Sequence, residues 1–447
     1  MPAQNSLNGN LVPSSIDSIA VAGFKSIATE QSIEVRPLTL LAGANSSGKS
    51  SIMQAVLLLK QTLEASYDPG PLLLNGPNVR FTSADQILFH AAGIAQSSEM
   101  SIRVGFNSEV SVEVVFARDP GKTLDIRQCT FATPNALPLA LTPNMPEEEI
   151  LDLSIFGRVQ PEQMGLQKGA QIHPRIVRDR CFLRPVIDLQ GTSQTSYSYF
   201  WGLAALPIKV LQEVIHVPGL RGNPERAYPL AATGPEFQGA FEKYTASIVM
   251  QWSTNSPDQL SKLGDGLSAL GLTWKVEAKA LDDTQVELRV GRLRKPQSGG
   301  DRDLVNIADV GFGVSQTLPV LVALLVARPG QVVYIEQPEL HLHPRAQVAM
   351  ASLLAQAANR GVRVIVETHC SLLLLGVQAQ LAEKKLTPAM VKLHWFTRSD
   401  TTGATTITSA DMDEAGRFGD WPEDFDDVIL KAQSHYLDAA EALLAPK

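Results

Sequence analysis

Gly43-Ala44-Asn45-Ser46-Ser47-Gly48-Lys49-Ser50 fills every fixed position of the pattern G-x-x-x-x-G-K-[ST], between an apolar run, Leu38 to Ala42, and an apolar-periodic helix, Ser51 to Leu63. Two glycines so placed let successive backbone N–H groups and a helix N-terminus converge on phosphate oxygens. Lys49 then reaches the β- and γ-oxygens, and the Ser50 hydroxyl is a Mg²⁺ ligand. The stretch predicts an α/β fold that holds ATP and Mg²⁺, with Gly43, Asn45, Ser46, Ser47, Gly48, Lys49, Ser50 and Ser51 around the phosphates.

On the N-terminal side, residues 16 to 41 read as two strands joined through Phe24-Lys25-Ser26, and Arg36-Pro37 leads into the strand before the loop. Alternation of Ile102, Val104, Phe106, Val110, Val112 and Val114, continued over 123–132, predicts an antiparallel β flank. Residues 141–275 begin proline-rich and then read as mainly helical, around Leu203 to Ile215 and Glu236 to Trp252, with no heptad run for a long coiled coil. Strands resume at 284–293, and α/β alternation continues to about 397. The expected division is a flexible tail (1–14), a first part of the head (15–140), a helical insertion or arm (141–275), a second part of the head (276–400) and an acidic cap (401–447) with an amphipathic helix, Phe425 to Leu444.

The 447 residues leave room for two or three compact units. The longest apolar stretch, Leu318 to Ala327, is about half of the roughly 20 residues a membrane span needs, and the N-terminus lacks a secretory pattern. A cytoplasmic location without membrane contact is expected. Cys129, Cys181 and Cys370 are too few and too scattered for a disulfide or zinc framework. The net charge is −8, of which −7 sits between Asp411 and Asp427, where eight acidic residues face Arg417 alone. Elsewhere the charge is nearly balanced, and two basic clusters, Arg175/Arg178/Arg180/Arg184 and Arg289/Arg292/Arg294/Lys295, are either DNA-facing or solvated surface.

Three later motifs narrow the class. Val332-Val333-Tyr334-Ile335-Glu336 is an apolar strand ending in a carboxylate, the form of a Mg²⁺-supporting Walker B acid. Upstream, Asp309-Val310-Gly311-Phe312-Gly313-Val314-Ser315-Gln316 is a glycine-bearing turn that opens an apolar helix; downstream, Val362 to Val366 ends in Glu367-Thr368-His369. In this order the motifs resemble those of the ATP-binding-cassette ATPases, and within them the RecF/OLD/SMC-like branch. Gly23-Phe24-Lys25-Ser26 and Glu336-Gln337-Pro338-Glu339-Leu340-His341-Leu342-His343-Pro344 carry the resemblance furthest. The stretch Gly416 to Phe425, with Trp421-Pro422, resembles a C-terminal domain of unknown function found on some predicted bacterial ATPases of this kind.

The resemblance implies a head-to-tail dimer closed by ATP, in which Gly313, Ser315 and Gln316 complete the site built on the partner's Lys49. It makes His369 the switch histidine, Glu336 the metal-supporting acid and Asp85-Gln86 a weak candidate for the glutamine loop. It also puts Gln337 where the water-polarising glutamate stands. An amide orients water but accepts no proton, so assistance worth roughly 10²–10⁴ in rate is missing. Intrinsically slow turnover with a long-lived ATP-bound dimer is the favoured expectation, with Glu339 as the reserve base; replacement of the base by Glu339 or a nearby histidine is the alternative. His341 and His343 lack a third ligand and are expected to be structural. Asp411-Met412-Asp413 imitates the metal motif of a Toprim nuclease, but about fifty surrounding residues are too few for that domain. Arg221, within Arg221-Gly222-Asn223-Pro224-Glu225-Arg226, is either a structural residue, the favoured reading, or one that reaches nucleotide or DNA. The functional expectation is an ATPase switch acting on nucleic acid or an effector protein in DNA repair or in defence against phage and plasmids. A non-catalytic scaffold that sequesters a toxic effector is the alternative, and a transporter subunit is disfavoured by the P-E-L-H-L-H-P segment.

Overall fold

A computed structural model describes residues 15–91, 96–118, 123–134, 136–153, 171–190, 196–200, 204–234, 236–293, 300–419, 434, 435 and 437. The expected tail, most of the expected Phe425–Leu444 helix and Trp421-Pro422 lie outside the described residues. The chain begins with β1 (Ile16–Ala22), β2 (Gln31–Glu34), β3 (Leu38–Gly43), α1 (Lys49–Glu64), β4 (Glu99–Phe106), β5 (Val110–Ala117), β6 (Asp125–Thr133) and β7 (Ala136–Leu141). Next come α2 (Glu147–Asp152), β8 (Gln171–Asp179), β9 (Phe182–Gln190), β10 (Ser196–Phe200), α3 (Ala205–Gln212), β11 (Ile215–Val217), β12 (Tyr228–Pro229), α4 (Thr245–Asn255) and α5 (Pro257–Ala269). The remainder is β13 (Val276–Ala280), β14 (Gln285–Gly291), β15 (Leu304–Asn306), α6 (Phe312–Val326), β16 (Val332–Glu336), α7 (Pro344–Asn359), β17 (Arg363–Thr368), α8 (Ser371–Ala382), β18 (Val391–Arg398) and β19 (Thr405–Ala410).

The central sheet has the order β11-β16-β17-β3-β18-β19, parallel except for the β18–β19 hairpin at its edge. Its middle strands are buried on both faces, so alternate residues enter different cores. Leu40, Val333, Ile335, Val364 and Val366 face the helical layer of α4 to α8, whereas Leu41, Val332, Tyr334 and Ile365 join α1 and the antiparallel strands. The expected β flank is the sheet β2-β1-β4-β5-β6-β7. Among the described residues no helix is long and apolar enough to cross a membrane.

The segment 141–275 departs from a helical arm. The expected helices are present as α3 and α4, but β8, β9 and β10 form a three-stranded antiparallel sheet, and β11 becomes the edge of the central sheet beside β16. Ile248, Val249, Leu263 and Leu267, from α4 and α5, belong to the same core as α6. Long-range pairing of β11 and burial of two amphipathic helices draw much of the segment into the head. Local periodicity carried neither signal.

Candidate functional site

The phosphate loop is shaped by residues that tolerate left-handed backbone. Gly43, Ser46 and Gly48 have φ of 148°, 60° and 99°. A Cβ on Gly43 would lie 2.3 Å from the Phe396 carbonyl oxygen, and one on Gly48 would lie 2.3 Å from Thr405 Oγ1, so larger side chains are excluded by β18 and β19 as well as by φ. The loop borders a cavity of about 630 Å³ that gathers Asn45, Ser46, Ser47, Gly48, Lys49, Ser50, Ser51, Gln337 and His369. Gly43 lies on the adjoining cavity beside Trp395.

Lys49 is folded back on its own loop, donating from Nζ to Gly43 O (3.0 Å) and Ala44 O (2.7 Å). Burial lowers its ammonium to about 8 against the attraction of Glu367 and Glu339. His369 Nδ1 lies 2.9 Å from Gly43 O and 3.3 Å from Lys49 Nζ; the tautomer with its proton on Nδ1 donates to the Gly43 carbonyl and has Nε2 as its acceptor nitrogen, whereas the other tautomer accepts from Lys49. Burial, and then Lys49, hold the imidazole below its ordinary value, which keeps it neutral.

The carboxylates differ from the sequence expectation. Ser50 Oγ donates to Glu367 Oε1 (2.9 Å), and Tyr334 Oη donates to Glu367 Oε2 (2.9 Å). Glu336, expected to support the metal with Ser50, instead contacts His216 Nε2 (3.1 Å) and accepts from Gly219 N (3.0 Å). The reason is strand order: β17 lies between β3 and β16, so its terminal carboxylate is the one beside the loop, with Glu336 in register next to it. Burial, then the Glu336 charge, raise Glu367. Burial also pushes Glu336 upward, but His216 and the Gly219 N–H outweigh it and hold that carboxyl below its ordinary value. The pair is thus electrically divided, with Glu336 the more firmly ionised.

Glu339 is 8% exposed and does not border the cavity. Its Oε1 accepts from Thr368 Oγ1 (2.6 Å) and from His369 N (3.3 Å), so it stands behind His369 and not on the cavity wall. Gln337 has a φ of 45°, and its N–H donates to Glu367 O (2.8 Å), turning the side chain into the cavity wall. Gln86 also lines the cavity, with its amide bonded to Thr82. Lys25, Ser26, Gln54, His90 and Arg398 are lining residues that sequence reasoning did not select; only Lys25 and Ser26 carried a signal, in the turn after β1.

Gly313 and Ser315 lie outside this cavity, on the first turn of α6. Gln316 is a correction: it is buried, and its Nε2 donates to Gly222 O (3.0 Å) and Arg221 O (3.3 Å), so its side chain is taken up inside the fold. Arg221 answers it, donating from Nη1 to Gln316 O (3.1 Å) and from Nη2 to Glu336 O (2.7 Å). This favours the structural reading of Arg221, while Arg226 pairs with Asp309 (2.7 Å). His343 accepts from Arg345 N and caps α7. Asp411 pairs with Arg36 and Lys392, and Asp413 with Arg417 and its own turn, so neither is arranged for metal. Among the described residues no His/Cys/Asp/Glu group is arranged to hold a metal by itself. In the first basic cluster Arg175, Arg178 and Arg184 pair with Asp188, Asp68 and Asp179, which weakens it as a nucleic-acid surface. Arg294 and Lys295 of the second lie outside the described residues.

The glycine cradle, the buried Ser47 Oγ without a partner among the described residues, and the Ser50–Glu367 pair fit a triphosphate and Mg²⁺. Lys49 and the loop N–H groups would hold the phosphates; Ser50, with Glu367 behind it, would hold the metal.

Residues 15–163 match the family model described as "AAA ATPase domain", and residues 245–375 match "AAA domain, putative AbiEii toxin, Type IV TA system". Among solved structures, the chain is similar to an SMC head bound to the C-winged helix domain of ScpA, at 13% identity and a TM-score of 0.47, over 90% of this chain and 99% of that one. It is similar to the SMC head domain from Thermotoga maritima at 13% identity and a TM-score of 0.41, over 88% and 98%. An Smc head with an extended coiled coil, bound to the C-terminal domain of ScpA derived from Pyrococcus furiosus, is similar at 11% identity and a TM-score of 0.46, over 89% and 96%. No protein of curated function matches the sequence.

Proposed function

We propose that this chain, an ABC-type ATPase of the SMC/RecF-like kind, works as a slow ATP-gated switch that dimerises head to tail. The observation that carries the proposal is the convergence of Lys49, Ser50, Glu367, Gln337 and His369 on one cavity, while Gly313 and Ser315 stay outside it. ATP and Mg²⁺ supply the phosphoanhydride bond and the charge that polarises it. Lys49 exchanges the Gly43 and Ala44 carbonyls for phosphate oxygens, and the neighbouring anion restores its full charge. Gln337 orients the attacking water from the cavity wall. His369, neutral and bordering the cavity, takes that water's proton on Nε2 in the tautomer that donates from Nδ1 to Gly43 O. A second copy brings Ser315 and the start of α6 to the open side of the cavity, and Phe312, 51% exposed beside His341, is covered by closure.

An effector protein or nucleic acid then responds to the closed form. The description of the second family model, a toxin of a toxin–antitoxin system, supports a role in defence over one in repair. The test is the mass in solution, by light scattering with and without Mg²⁺-ATP, of the wild type beside Lys49→Ala. A dimer that needs both ATP and Lys49 is expected; a mass indifferent to both would overturn the gated dimer.

A further inference from the structure

β11 is only three residues long, yet it and the turn that follows it, 218–221, take up the end of β16. Parallel pairing sets His216 beside Tyr334 and Val217 beside Ile335. The His216 ring is 3% exposed and stacks on the Tyr334 ring, with centroids 5.4 Å apart and planes at 11°. Its Nδ1 lies 3.2 Å from the Asn78 side-chain amide, and its Nε2 lies 3.1 Å from Glu336 Oε1. An ionised carboxylate only accepts, so the proton of that second contact is on Nε2. The other carboxylate oxygen accepts from Gly219 N at 3.0 Å, and the Glu336 carbonyl accepts from Arg221 Nη2 at 2.7 Å.

Both Glu336 side-chain oxygens are therefore spent on residues 216–219, while Ser50 is met by Glu367. What these bonds fix is the residue that follows. Gln337 has a left-handed φ of 45°, a conformation that a residue other than glycine keeps only where its surroundings impose it. Gly219 packs against both residues of the corner: a Cβ there would lie 3.3 Å from Glu336 Cβ, 3.3 Å from Glu336 Oε2 and 3.7 Å from Gln337 Oε1. Gly219 is outside the left-handed region, so the constraint on it is space and not backbone conformation. Neither His216 nor Gly219 borders the phosphate-loop cavity, whereas Gln337 does.

We propose that His216 and Gly219 are positioning residues for hydrolysis: acting through Glu336, they hold the end of β16 so that Gln337 presents its amide to the attacking water. Their influence falls on the rate and spares the affinity for ATP, because the groups that hold the phosphates stand on the other side of the corner. The clamp rests on the reading of Gln337 given above.

Single-turnover ATP hydrolysis and a fluorescent-nucleotide titration of the full chain separate rate from affinity. A glutamine amide reaches the place of the histidine Nε2 and an asparagine amide only that of Nδ1, so His216→Gln keeps the bond to Glu336 and His216→Asn loses it. His216→Asn is expected to lower the rate about 30-fold, Gly219→Ala about tenfold and His216→Gln less than about threefold, each with ATP affinity within about twofold of wild type. On a Gln337→Ala background the further loss from His216→Asn is expected to be under about twofold, since the group it aims is gone. His216→Gln falling as far as His216→Asn, affinity falling with the rate, or the full loss persisting on the Gln337→Ala background overturns the clamp and leaves His216 a structural residue. If His216→Asn shows no cooperative melting transition, Gly219→Ala with and without Gln337→Ala decides on the same terms. A wild type that binds ATP without hydrolysing it overturns the ATPase reading and the clamp with it; hydrolysis that none of the variants lowers overturns the clamp alone.

Discussion

The phosphate loop and the start of α6 are both glycine-bearing turns that open a helix, yet they are shaped for different neighbours. In the loop, Gly43, Ser46 and Gly48 hold positive φ, and a charged side chain folds back on the loop's own carbonyls. At α6, Gly311 has an ordinary φ of −64°, a Cβ on Gly313 would come 3.1 Å from Leu272 Cδ2, and Ser315 Oγ donates to Phe312 O. One turn is curved by its own left-handed backbone into a cradle beside a cavity. The other is an exposed helix end, with Phe312 51% exposed, whose serine is bonded within its own turn.

The sharpest way to break this contrast is at the corner between them. Gln337→Glu restores a proton acceptor where only an amide stands, and single-turnover hydrolysis is expected to rise roughly 100-fold. An unchanged or slower rate would show that Gln337 is not the brake. Next, Glu367→Gln is expected to weaken Mg²⁺-ATP binding about 30-fold and Glu336→Gln only about threefold, since Ser50 bonds to the former. Equal losses in a fluorescent-nucleotide titration would restore Glu336 as the metal-supporting acid.

On the α6 side, the proposed head-to-tail dimer assigns Ser315 to a second copy's nucleotide, so Ser315→Arg should leave ATP affinity within twofold while lowering the steady-state rate about tenfold. A matching loss of affinity would place Ser315 in its own chain's site. The smallest effect concerns pH. The Lys49 ammonium sits at about 8 in the free chain and rises when phosphate oxygens surround it, so binding takes up a proton above that pH. ATP affinity is therefore complete below pH 8 and falls as pH rises, by somewhat under tenfold between 7.5 and 9. Lys49→Arg, charged throughout, should flatten this profile whatever its absolute affinity.

Legibility in the sequence followed the range of the contacts. The loop, β3, α1, the alternating strands of the flank, the β16 and β17 strands and the helix opening at Phe312 are local patterns, and they lie where periodicity puts them. Sheet order is not local. Glu367 was visible as the end of an apolar strand, but nothing in the sequence says that this strand separates β3 from β16. The same limit hid His216: a lone histidine in a short apolar run becomes the partner of Glu336 only because β11 pairs with β16. Gln316 failed for a different reason. Its neighbours are motif residues, but a helix turns each successive side chain by about 100°, and the tertiary position of Arg221 decided which one faced inward.

The sequence by itself determined that the chain has a phosphate-binding turn between strand and helix, and that Gln337 stands where a base is expected. Spacing, backbone tolerance and side-chain chemistry are properties of adjacent residues. Tertiary structure alone decided which carboxylate faces Ser50, that Glu339 is locked beneath His369, and that Arg221 joins α6 to the tip of β16. Each of these depends on residues far apart in the chain meeting through sheet order and burial, where the cost of an unpaired charge fixes the partner.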